Sequence, residues 1–513
     1  MSEPTEFDRN QKDILDAMKR FMGQGAREPS PETAQQDKDE EAQKKKKRNS
    51  VLQFNLKPKD VKHHLDRFVI RQDEAKKVLA TAVCDHYNHV RRFEEGVRDS
   101  HHYTKQNILM LGPTGVGKTY LIKCLADLIG VPFVKADATK FSETGYVGGD
   151  VEDLIRDLAR KADDDLELAQ YGMVYIDEID KLAGSAALGG RDVSGAGVQR
   201  GLLKIMEETE VPLRSGQDIH SQIQTMMEYQ QKGKVTKPAL NTRHILFIVS
   251  GAFAGLGPLV ERRVRSSSIG FSAKRQAMPP ASELFRQART EDFVQFGFEP
   301  EFIGRLPVRV VCDPLSEDDL FAILSASEGS VIKQYQASFD AYGIRLDVKE
   351  NGMREIAHQA AKEETGARGL LTVCERVFRD FKYELPSSTV RQLALDQALV
   401  RDPSEVLKKA LESDRKEASL RISREIASFE TAFGSKIGIS VHFDESACQE
   451  ISNRVLVESL ETHAFLENLL SNYGYGLGLI QKQKPRARFV LTGDVIRDPA
   501  KALDLWIKES YEN

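Results

Sequence analysis

Hydrophobic residues in the middle of the chain come in short, nearly continuous runs, and segments with a helical pattern separate them. The runs are Asn107–Leu111, Phe133–Ala136, Met173–Ile176 and Ile245–Val249. Parallel strands that are buried on both faces show such continuous apolar runs. Because helices alternate with them, we predict βαβ units and a three-layer α/β domain with a parallel sheet, from Leu56 to about Val311. Residues 315–410 predict mostly helix, with one strand at Ile344–Val348.

The first fifty residues have a different pattern. Residues 7–22 predict one amphipathic helix. Residues 23–50 are polar and charged and bury too little apolar surface to offset the entropy of ordering, so we predict a disordered linker. The basic run Lys44–Arg48 is interpreted as solvated, with contact to nucleic acid or a partner as the alternative.

The last third of the chain contains two similar stretches. Gly343 opens GIRLDVKENGMREI and Gly438 opens GISVHFDESACQEI, and the triplet Arg-Asp-Pro at 401–403 recurs at 497–499. This repetition predicts a diverged second copy of a small α-rich domain, joined to the first through a charged helix at about 404–434. Chance similarity between two α/β segments is the alternative.

Net charge, cysteine spacing and the length of the apolar runs exclude several classes of protein. With 73 basic and 78 acidic residues the formal net charge is −5, which gives no global attraction to nucleic acid or anionic membrane. Five widely spaced cysteines exclude a disulfide framework and indicate a reducing compartment. The longest apolar run, Ile245–Val260, is shorter than the ~20 residues of a spanning helix. We predict a cytoplasmic protein without a secretory signal.

One group of possible metal ligands, Cys84, His86 and His89, lies within a predicted helix. Positions i, i+2 and i+5 do not share a helix face, so we predict no zinc there.

A glycine-rich segment directly after the first predicted strand carries the strongest chemical signal. It fits G-x-x-x-x-G-K-[ST] in a strand–loop–helix context. Its backbone N–H groups and the following helix N-terminus would surround phosphates, Lys118 would neutralise their charge, and Thr119 would bind Mg²⁺. The predicted nucleotide-binding residues of this segment are Gly112, Pro113, Thr114, Gly115, Val116, Gly117, Lys118, Thr119 and Tyr120.

A second acidic element supports the same chemistry. The predicted strand Met173–Ile176 ends in Asp177 and Glu178. At the carboxyl end of a parallel strand beside the phosphate loop, Asp177 would complete the Mg²⁺ site, and Glu178 would activate the attacking water as a general base. The sequence therefore predicts hydrolysis of ATP with Mg²⁺ as cofactor.

Seven blocks in order then resemble one family. They are HLDRFVIRQDEAKKVL (64–79), the phosphate loop, YIDEIDK (175–181), SGAGVQRGLLK (194–204), GAFAGL (251–256), PEFIGRLP (300–307) and TGARGL (365–370). Together they resemble ClpX, the family of AAA+ unfoldases that feed the ClpP peptidase. The resemblance runs from about Phe54 to Pro386.

The resemblance implies further roles around the nucleotide. Val69 and Ile70 would line the adenine pocket, and Ser250 would be the sensor-1 residue beside the attacking water. Arg305 matches an arginine finger that reaches the neighbouring subunit's nucleotide, and Arg368 matches the sensor-2 arginine. An arginine supplied by a neighbour implies an oligomer, which in this family is a homohexameric ring.

The resemblance also implies contacts with polypeptides. Tyr146 and Val147, between Gly145 and Gly148, resemble the first pore loop, and Arg191 belongs to the second. Plain packing is the alternative for the pair. The tripeptide Ile269-Gly270-Phe271 resembles the element that docks on ClpP.

This chain also departs from the family. It shows no counterpart of the family's N-terminal zinc-binding domain. The segment 210–244 is longer than in the family and has RSGQDIH in place of an Arg-Lys-His run. Arg71 replaces a glycine that is usual in the family's adenine-pocket motif. Adaptor docking through the zinc domain and recognition of the usual degradation tag are therefore not expected. Residues 411–513 have no counterpart. In this region Glu461-Thr462-His463 aligns with Gly366-Ala367-Arg368 of the first copy, so the second copy lacks the sensor-2 arginine. We therefore predict that it is a docking module and does not sense nucleotide.

The predicted organisation is an N-terminal helix and linker (1–50), a large ATPase domain (51–313), a small domain (314–410), a helical linker (411–434) and a small-domain-like extension (435–513). We predict an ATP-dependent unfoldase and translocase that forms a hexameric ring and threads substrates into a ClpP-type peptidase, with no protease site of its own. An adaptor could bind the extension. The alternatives are a peptidase-independent remodelling ATPase, a nucleic-acid motor, and a scaffold with a vestigial ATPase.

Overall fold

A computed structural model describes residues 54–97, 105–142, 149–184, 193–213, 238–267, 280–458, 460–483 and 488–511. The predicted N-terminal helix and linker lie outside the described residues. So do the predicted pore-loop residues Tyr146, Val147 and Arg191 and the tripeptide 269–271. The described chain forms two compact units: the first comprises residues up to Ser330 together with Ala360–Gly369, and the second comprises Val331–Gln359 and the residues from Leu370 onward.

A five-stranded parallel sheet forms the centre of the first unit, with strand order β2-β3-β6-β1-β7. Its strands are β1 Ile108–Leu111, β2 Phe133–Asp137, β3 Met173–Asp177, β6 Leu246–Gly251 and β7 Val308–Val311. In register, Ile108 lies beside Ile248 on one side and Val308 on the other. A separate antiparallel pair consists of β4 Glu210–Pro212 and β5 Ala239–Asn241. The prediction of a parallel sheet is confirmed.

Alternate residues of the central strands contribute to two cores on opposite faces of the sheet. Leu109 and Val174 belong to one core, and Ile108 and Met110 belong to the other. Both faces are covered because both sets are apolar, as the nearly continuous runs predicted. Helices α1–α3 supply the core that contains Ile108, while α4 and α6–α10 supply the core that contains Leu109. The three-layer architecture is therefore confirmed.

The helices of the first unit begin and end at recognisable residues. Gly130, in the left-handed region at φ 78°, ends α3, and Ser316 caps α11 in a capping box with Asp319. Proline occupies the first turn of α1 and α10. The helices are α1 Pro58–Phe68, α2 Asp73–Glu94, α3 Lys118–Ile129, α4 Asp153–Lys161, α5 Leu166–Ala169, α6 Val193–Met206, α7 Leu256–Ser267, α8 Ala281–Arg286, α9 Thr290–Phe296, α10 Pro300–Gly304 and α11 Glu317–Ser325.

The second unit contains two parallel two-stranded sheets, β8 with β9 and β10 with β11. Around each pair the same order of elements occurs: strand, helices, strand, short helix, and a helix that begins at an Asp-Pro dipeptide. The first set is α12 Val331–Asp340, β8 Arg345–Val348, α13 Glu350–Lys362, α14 Ala367–Glu384, β9 Gln392–Leu395, α15 Gln397–Arg401 and α16 Pro403–Ile437. The second is β10 Val441–Phe443, α17 Glu445–Glu458, α18 Thr462–Leu469, α19 Tyr473–Gln483, β11 Phe489–Leu491, α20 Gly493–Arg497 and α21 Pro499–Tyr511.

An ion pair recurs in the two sets. Arg401 lies 3.1 Å from Glu355, and Arg497 lies 3.4 Å from Glu450. These are the residues that the two similar sequence stretches align. The shared element order and the shared ion pair support the interpretation of a diverged duplicate.

The long helix α16 belongs to both sets. Asp402 caps its start through the Glu405 N–H at 3.0 Å, and Gly438 ends it in the left-handed region. Its second half contributes Ile426 and Phe429 to the apolar core of the second set. One difference separates the sets: α14 is continuous, whereas its counterpart is broken into α18 and α19. No helix in the described part of the chain is both long and apolar enough to cross a membrane.

Candidate active site

The phosphate loop joins the carboxyl end of β1 to the first turn of α3. Gly117 precedes that helix with φ 95°, a conformation that favours glycine. Gly115 has φ 77°, and a Cβ atom there would collide with the Thr365 carbonyl. The sequence pattern thus places glycine where the backbone turns and where a second segment approaches closely.

The Lys118 side chain is held on the loop itself. Its Nζ donates to the carbonyl oxygens of Gly112, at 2.6 Å, and Pro113, at 2.9 Å. Burial lowers the pKa of Lys118, while the carboxylates of Asp177 and Asp180 act in the opposite direction. The ammonium group therefore lies against two carbonyl oxygens of the loop, and phosphate oxygens would compete with these carbonyls for it.

Asp177, at the end of β3, is the centre of a hydroxyl network. Ser250 Oγ donates to its Oδ1 at 2.6 Å, and Thr119 Oγ1 donates to its Oδ2 at 3.1 Å. Lys135 Nζ lies 3.7 Å from Oδ2. Burial alone would raise the pKa of Asp177, but the hydrogen bonds from Ser250, the Glu178 N–H and Thr119 outweigh it, and the pKa lies below its ordinary value. The carboxylate is therefore charged at neutral pH.

Thr119 and Asp177 also provide a donor set that suits a magnesium ion. Both are hard oxygen ligands, and Mg²⁺ is commonly held by one or two such groups together with phosphate oxygens. The two predicted ligands, on different elements, are brought within hydrogen-bond distance of each other. Among the described residues no group of three or more His, Cys, Asp or Glu side chains is arranged to hold a metal by itself.

Glu178 follows Asp177 in an unusual conformation. It has φ 56°, and its side chain is exposed at the carboxyl edge of the sheet. Left-handed backbone is uncommon for residues other than glycine and occurs often at functional sites. The side chain predicted as general base is therefore turned away from the buried strand and towards the open edge.

Two residues that sequence reasoning missed complete this region. Tyr175 is fully buried, and its hydroxyl lies 2.7 Å from Ser250 Oγ and 3.2 Å from Thr119 Oγ1. Asp180 accepts from the Phe253 N–H at 3.2 Å and packs against Gly251. The two-residue period of a strand, which puts Tyr175 on the same face as Asp177, is the signal that could have found the tyrosine.

The predicted adenine pocket lies at the end of α1. Val69 caps this helix and is buried, with Ile70 partly buried beside it. Arg71 follows with φ 59°, a backbone conformation that favours glycine. Its guanidinium lies 2.6 Å from the Asp319 carboxylate. This ion pair joins the pocket segment to α11.

A second segment closes the same region. Ser327 Oγ donates to the Phe68 carbonyl at 2.7 Å, and Arg67 pairs with Glu328 at 2.7 Å. Gly329 packs so closely against the hydroxyl of Tyr120 that a Cβ atom would collide with it. Val69, Ile70 and Tyr120 are thus gathered by contacts between α1, α3 and residues 327–329.

Arg368 lies in the first turn of α14, which is attached to the phosphate loop. The Ala367 N–H donates to the Gly115 carbonyl at 2.8 Å. The positive charge of Arg368 is close enough to contribute to the lowering of the pKa of Lys118, although burial is the larger cause. The structure therefore brings Arg368 to the same site as Lys118.

Arg305 lies elsewhere. It follows α10 and precedes β7, and its guanidinium is 2.5 Å from Glu207. Because β7 runs parallel to β1, Arg305 is at the amino edge of the sheet, whereas the phosphate loop is at the carboxyl edge. The four residues of β1 alone span about 13 Å. Arg305 is thus separated from the phosphate loop of its own chain by at least the length of a strand.

Two of the residues considered as zinc ligands, Cys84 and His86, contact backbone carbonyl groups. Cys84 Sγ donates to the Leu56 carbonyl at 3.5 Å, while His86 Nε2 contacts the His244 carbonyl at 3.0 Å. Burial raises the pKa of Cys84 to about 11 and lowers that of His86 to about 3. A protonated thiol and a fully buried imidazole are components of the core.

Comparison with known proteins agrees with this geometry. The family described as AAA domain (Cdc48 subfamily) matches residues 103–309, so the class is that of an AAA ATPase. The ATP-dependent Clp protease ATP-binding subunit ClpX of Borrelia duttonii (strain Ly) is 41% identical over 338 residues, which cover 64% of this chain and 75% of the relative. ClpX 3 of Methylococcus capsulatus is 41% identical over 353 residues, with 66% and 79% covered. ClpX of Treponema denticola is 39% identical over 354 residues, with 68% and 82% covered.

The chain belongs to the ClpX family of AAA+ ATPases. Nucleotide binding and ATP hydrolysis are therefore its basic activities.

Proposed function

We propose that this ATPase is a protein unfoldase and translocase that acts as a homohexameric ring and delivers polypeptides to a ClpP-type peptidase. The observation that carries the proposal is the division of the hydrolysis machinery between two edges of one sheet. Lys118, Thr119 and Asp177 meet at the carboxyl edge, and Arg305 stands at the amino edge. An arginine in that place can serve a nucleotide only on another copy of the chain, which a ring provides.

Each residue at the carboxyl edge then has a defined task. Lys118 and the loop N–H groups bind the β- and γ-phosphates, and Glu178 accepts a proton from the attacking water. Thr119 and Asp177 would hold Mg²⁺, which when bound withdraws charge from the phosphate oxygens. Ser250, fixed by Asp177 at 2.6 Å, would orient the water.

Two arginines, Arg368 and Arg305, would add positive charge around the phosphates to that of Lys118. Arg368, at the start of α14, would bind the γ-phosphate and so link the state of the nucleotide to the helix that carries it. Arg305 of a neighbouring subunit would offset the charge that develops on the transferred phosphoryl group. Val69, Ile70 and Tyr120 would hold the base.

The polypeptide-handling roles rest on sequence. Tyr146, Val147 and Arg191 would grip an extended chain in the pore, and Ile269, Gly270 and Phe271 would dock on the peptidase. Support comes from the name of the matched relatives, which describes them as ATP-binding subunits of an ATP-dependent Clp protease.

The second candidate is a remodelling ATPase that works without a peptidase. The extension favours it, because residues 438–511 and the second half of α16 together form a separate apolar core around Phe443, Leu477 and Phe489. Such a module could bind an adaptor or a target complex directly. It has His463 where the first copy has Arg368, so it lacks the arginine that would sense nucleotide.

The test is ATP-dependent degradation of an unfoldable fluorescent reporter by this protein and the ClpP of the same organism. Ile269→Glu is the partner-specific variant, and Glu178→Gln is the control that stops hydrolysis. We expect Ile269→Glu to keep its ATPase activity and to lose degradation, and Glu178→Gln to lose both. ATPase activity with unfolding of the reporter but no degradation by the wild-type protein would favour the remodelling function.

A further inference from the structure

We propose that Tyr175 is a positioning residue of the ATPase site, which couples Thr119 to Ser250 through its phenolic hydroxyl. The inference deepens the proposed hydrolysis mechanism and rests on it. Four groups form a closed ring: Thr119, Tyr175, Ser250 and Asp177 each lie within hydrogen-bond distance of two others, at 2.6 to 3.2 Å. The ring joins the predicted cation ligands to the predicted water-orienting residue.

The number of protons in the ring fixes the role of Tyr175. Ser250 and Thr119 each have one hydroxyl proton, and both donate it to the Asp177 carboxylate. Tyr175 must therefore be the donor in its 2.7 Å hydrogen bond with Ser250. Without that bond, Ser250 Oγ would accept from no donor among the residues that the structure describes.

The second contact of Tyr175 gives Thr119 a choice of acceptor. Thr119 Oγ1 lies 3.1 Å from Asp177 Oδ2 and 3.2 Å from the Tyr175 hydroxyl. When the Asp177 carboxylate is engaged by a cation, the Tyr175 oxygen is the acceptor that remains for the Thr119 proton. The tyrosine can accept from Thr119 while it still donates to Ser250, because a hydroxyl does both.

Burial keeps the tyrosine in this position. It lies in β3, between β2 and β6 of the sheet, and its side chain is fully buried with its ring near that of Phe133. A hydroxyl fixed in this way suits a residue that orients two others and takes no part in the chemistry itself.

The decisive variant is Tyr175→Phe, which keeps the ring and removes the hydroxyl. Loss of one such hydrogen bond corresponds to about 3- to 10-fold in an equilibrium or rate. We expect the affinity for N-methylanthraniloyl-ADP in EDTA to stay within about twofold of wild type. The increase in affinity produced by MgCl₂ should fall about 3- to 10-fold, and kcat should fall by a similar factor.

Tyr87→Phe is the matched control. Tyr87 is another fully buried tyrosine of the same core, and its hydroxyl donates to the Tyr171 carbonyl at 2.9 Å, away from the phosphate loop. It should lower thermal stability as Tyr175→Phe does, without changing the MgCl₂ dependence or kcat. Adding Tyr175→Phe to Ser250→Ala should cost less than the two single losses together, because both act in one ring.

The outcomes are distinct. If Tyr175→Phe and Tyr87→Phe behave alike in MgCl₂ dependence and kcat, the positioning role is wrong. If Tyr175→Phe weakens binding equally in EDTA and in MgCl₂, the tyrosine supports the pocket as a whole and the proposal is again overturned. If the wild-type protein itself neither responds to MgCl₂ nor hydrolyses ATP, the proposed hydrolysis site fails before Tyr175 is in question.

Discussion

Several carboxylates of this protein are each fixed by more than one donor. Asp177 accepts from two hydroxyl groups, and Glu355 accepts from Gln397 at 3.0 Å and pairs with Arg401 at 3.1 Å. In both cases burial by itself would raise the pKa, and the hydrogen bonds lower it instead. A carboxylate held in this way is charged and also immobile, and its loss should be felt in stability as well as in function.

Glu355→Gln tests this at the first strand–helix set of the second unit. The pKa of Glu355 is about 2, against an ordinary value of 4.5, so its stabilisation is complete above about pH 4.5 and disappears as the pH falls towards 2. We expect the variant to lose about 1–2 kcal/mol of local stability near neutral pH and to match the wild type near pH 2. Native-state hydrogen exchange of peptides from α13 and β9 measures this.

Glu450→Gln is the corresponding change in the second set. Glu450 has longer contacts, at 3.3 Å from Arg454 and 3.4 Å from Arg497, so we expect a smaller loss of protection in α17. Equal losses in the two variants, or a loss for Glu355→Gln that does not depend on pH, would contradict the argument.

Motifs indicated candidate residues for the site, but not how these residues are connected. Lys118, Thr119 and Asp177 belong to patterns whose chemistry fixes residue type and spacing, and the structure brings them together. Tyr175 and Asp180 lie inside the same block and were missed, because their partners, Ser250 in β6 and Phe253 just after it, are some seventy residues away. Contacts across a sheet depend on strand order, which a local pattern does not contain.

Some secondary structure elements could likewise be predicted from the sequence, and others could not. The four apolar runs coincide with β1, β2, β3 and β6 to within two residues at each end. For β1, β3 and β6 the reason is that a strand buried on both faces is apolar along nearly its whole length. The strands β7, β9 and β11 were not predicted, since each is only three or four residues long and partly exposed. The break between α18 and α19 was not predicted either.

Two glycines of α19 offer an element-scale test with a built-in control. A Cβ atom at Gly476 would lie 2.7 to 3.0 Å from Leu503 of α21, whereas one at Gly478 would meet nothing within 4 Å. We expect Gly476→Ala to destabilise the second set by about 1–3 kcal/mol through overpacking. Gly478→Ala should stabilise it by about 0.5–1 kcal/mol, since alanine favours helix.

The single tryptophan of the chain reports on this test. Trp506 packs in the same core, with ring centroids 6.4 Å from Tyr473 and 6.3 Å from Phe489. Urea unfolding followed by its fluorescence should show the midpoint move down for Gly476→Ala and up for Gly478→Ala. Two shifts in the same direction would mean that α19 does not pack on α21 as described.

At the scale of the whole molecule, the residues proposed for hydrolysis lie at two opposite edges of one sheet. The carboxyl edge of the sheet holds the phosphate loop, Asp177 and Glu178, and the amino edge holds Arg305 with its ion pair to Glu207. The sheet itself separates the two sets, and helices cover both of its faces. If Arg305 acts as the proposed arginine finger, a complete site needs the carboxyl edge of one copy and the amino edge of another.

Subunit mixing tests this arrangement directly. Glu178→Gln should bind ATP but hydrolyse it at least about 10²-fold more slowly, and Arg305→Ala should lose about 10³-fold through the missing finger. If Arg305 acts on a neighbour, an equal mixture of the two variants restores activity. A complete site needs an Arg305→Ala subunit, which keeps its own Glu178, beside a Glu178→Gln neighbour, which supplies Arg305. In an equal random mixture each condition is met about half of the time, so about a quarter of the sites are complete.

The measurement is steady-state ATP hydrolysis as a function of the mixing ratio, after the subunits have been exchanged. Arg286→Ala is the matched control, because it removes an arginine that pairs with Asp313 at 2.7 Å, and it should hydrolyse ATP like the wild type. Activity that peaks near equal amounts of the two variants would establish the shared site. A mixture no more active than its separate components, with exchange verified by labelled subunits, would show that Arg305 serves its own chain or none.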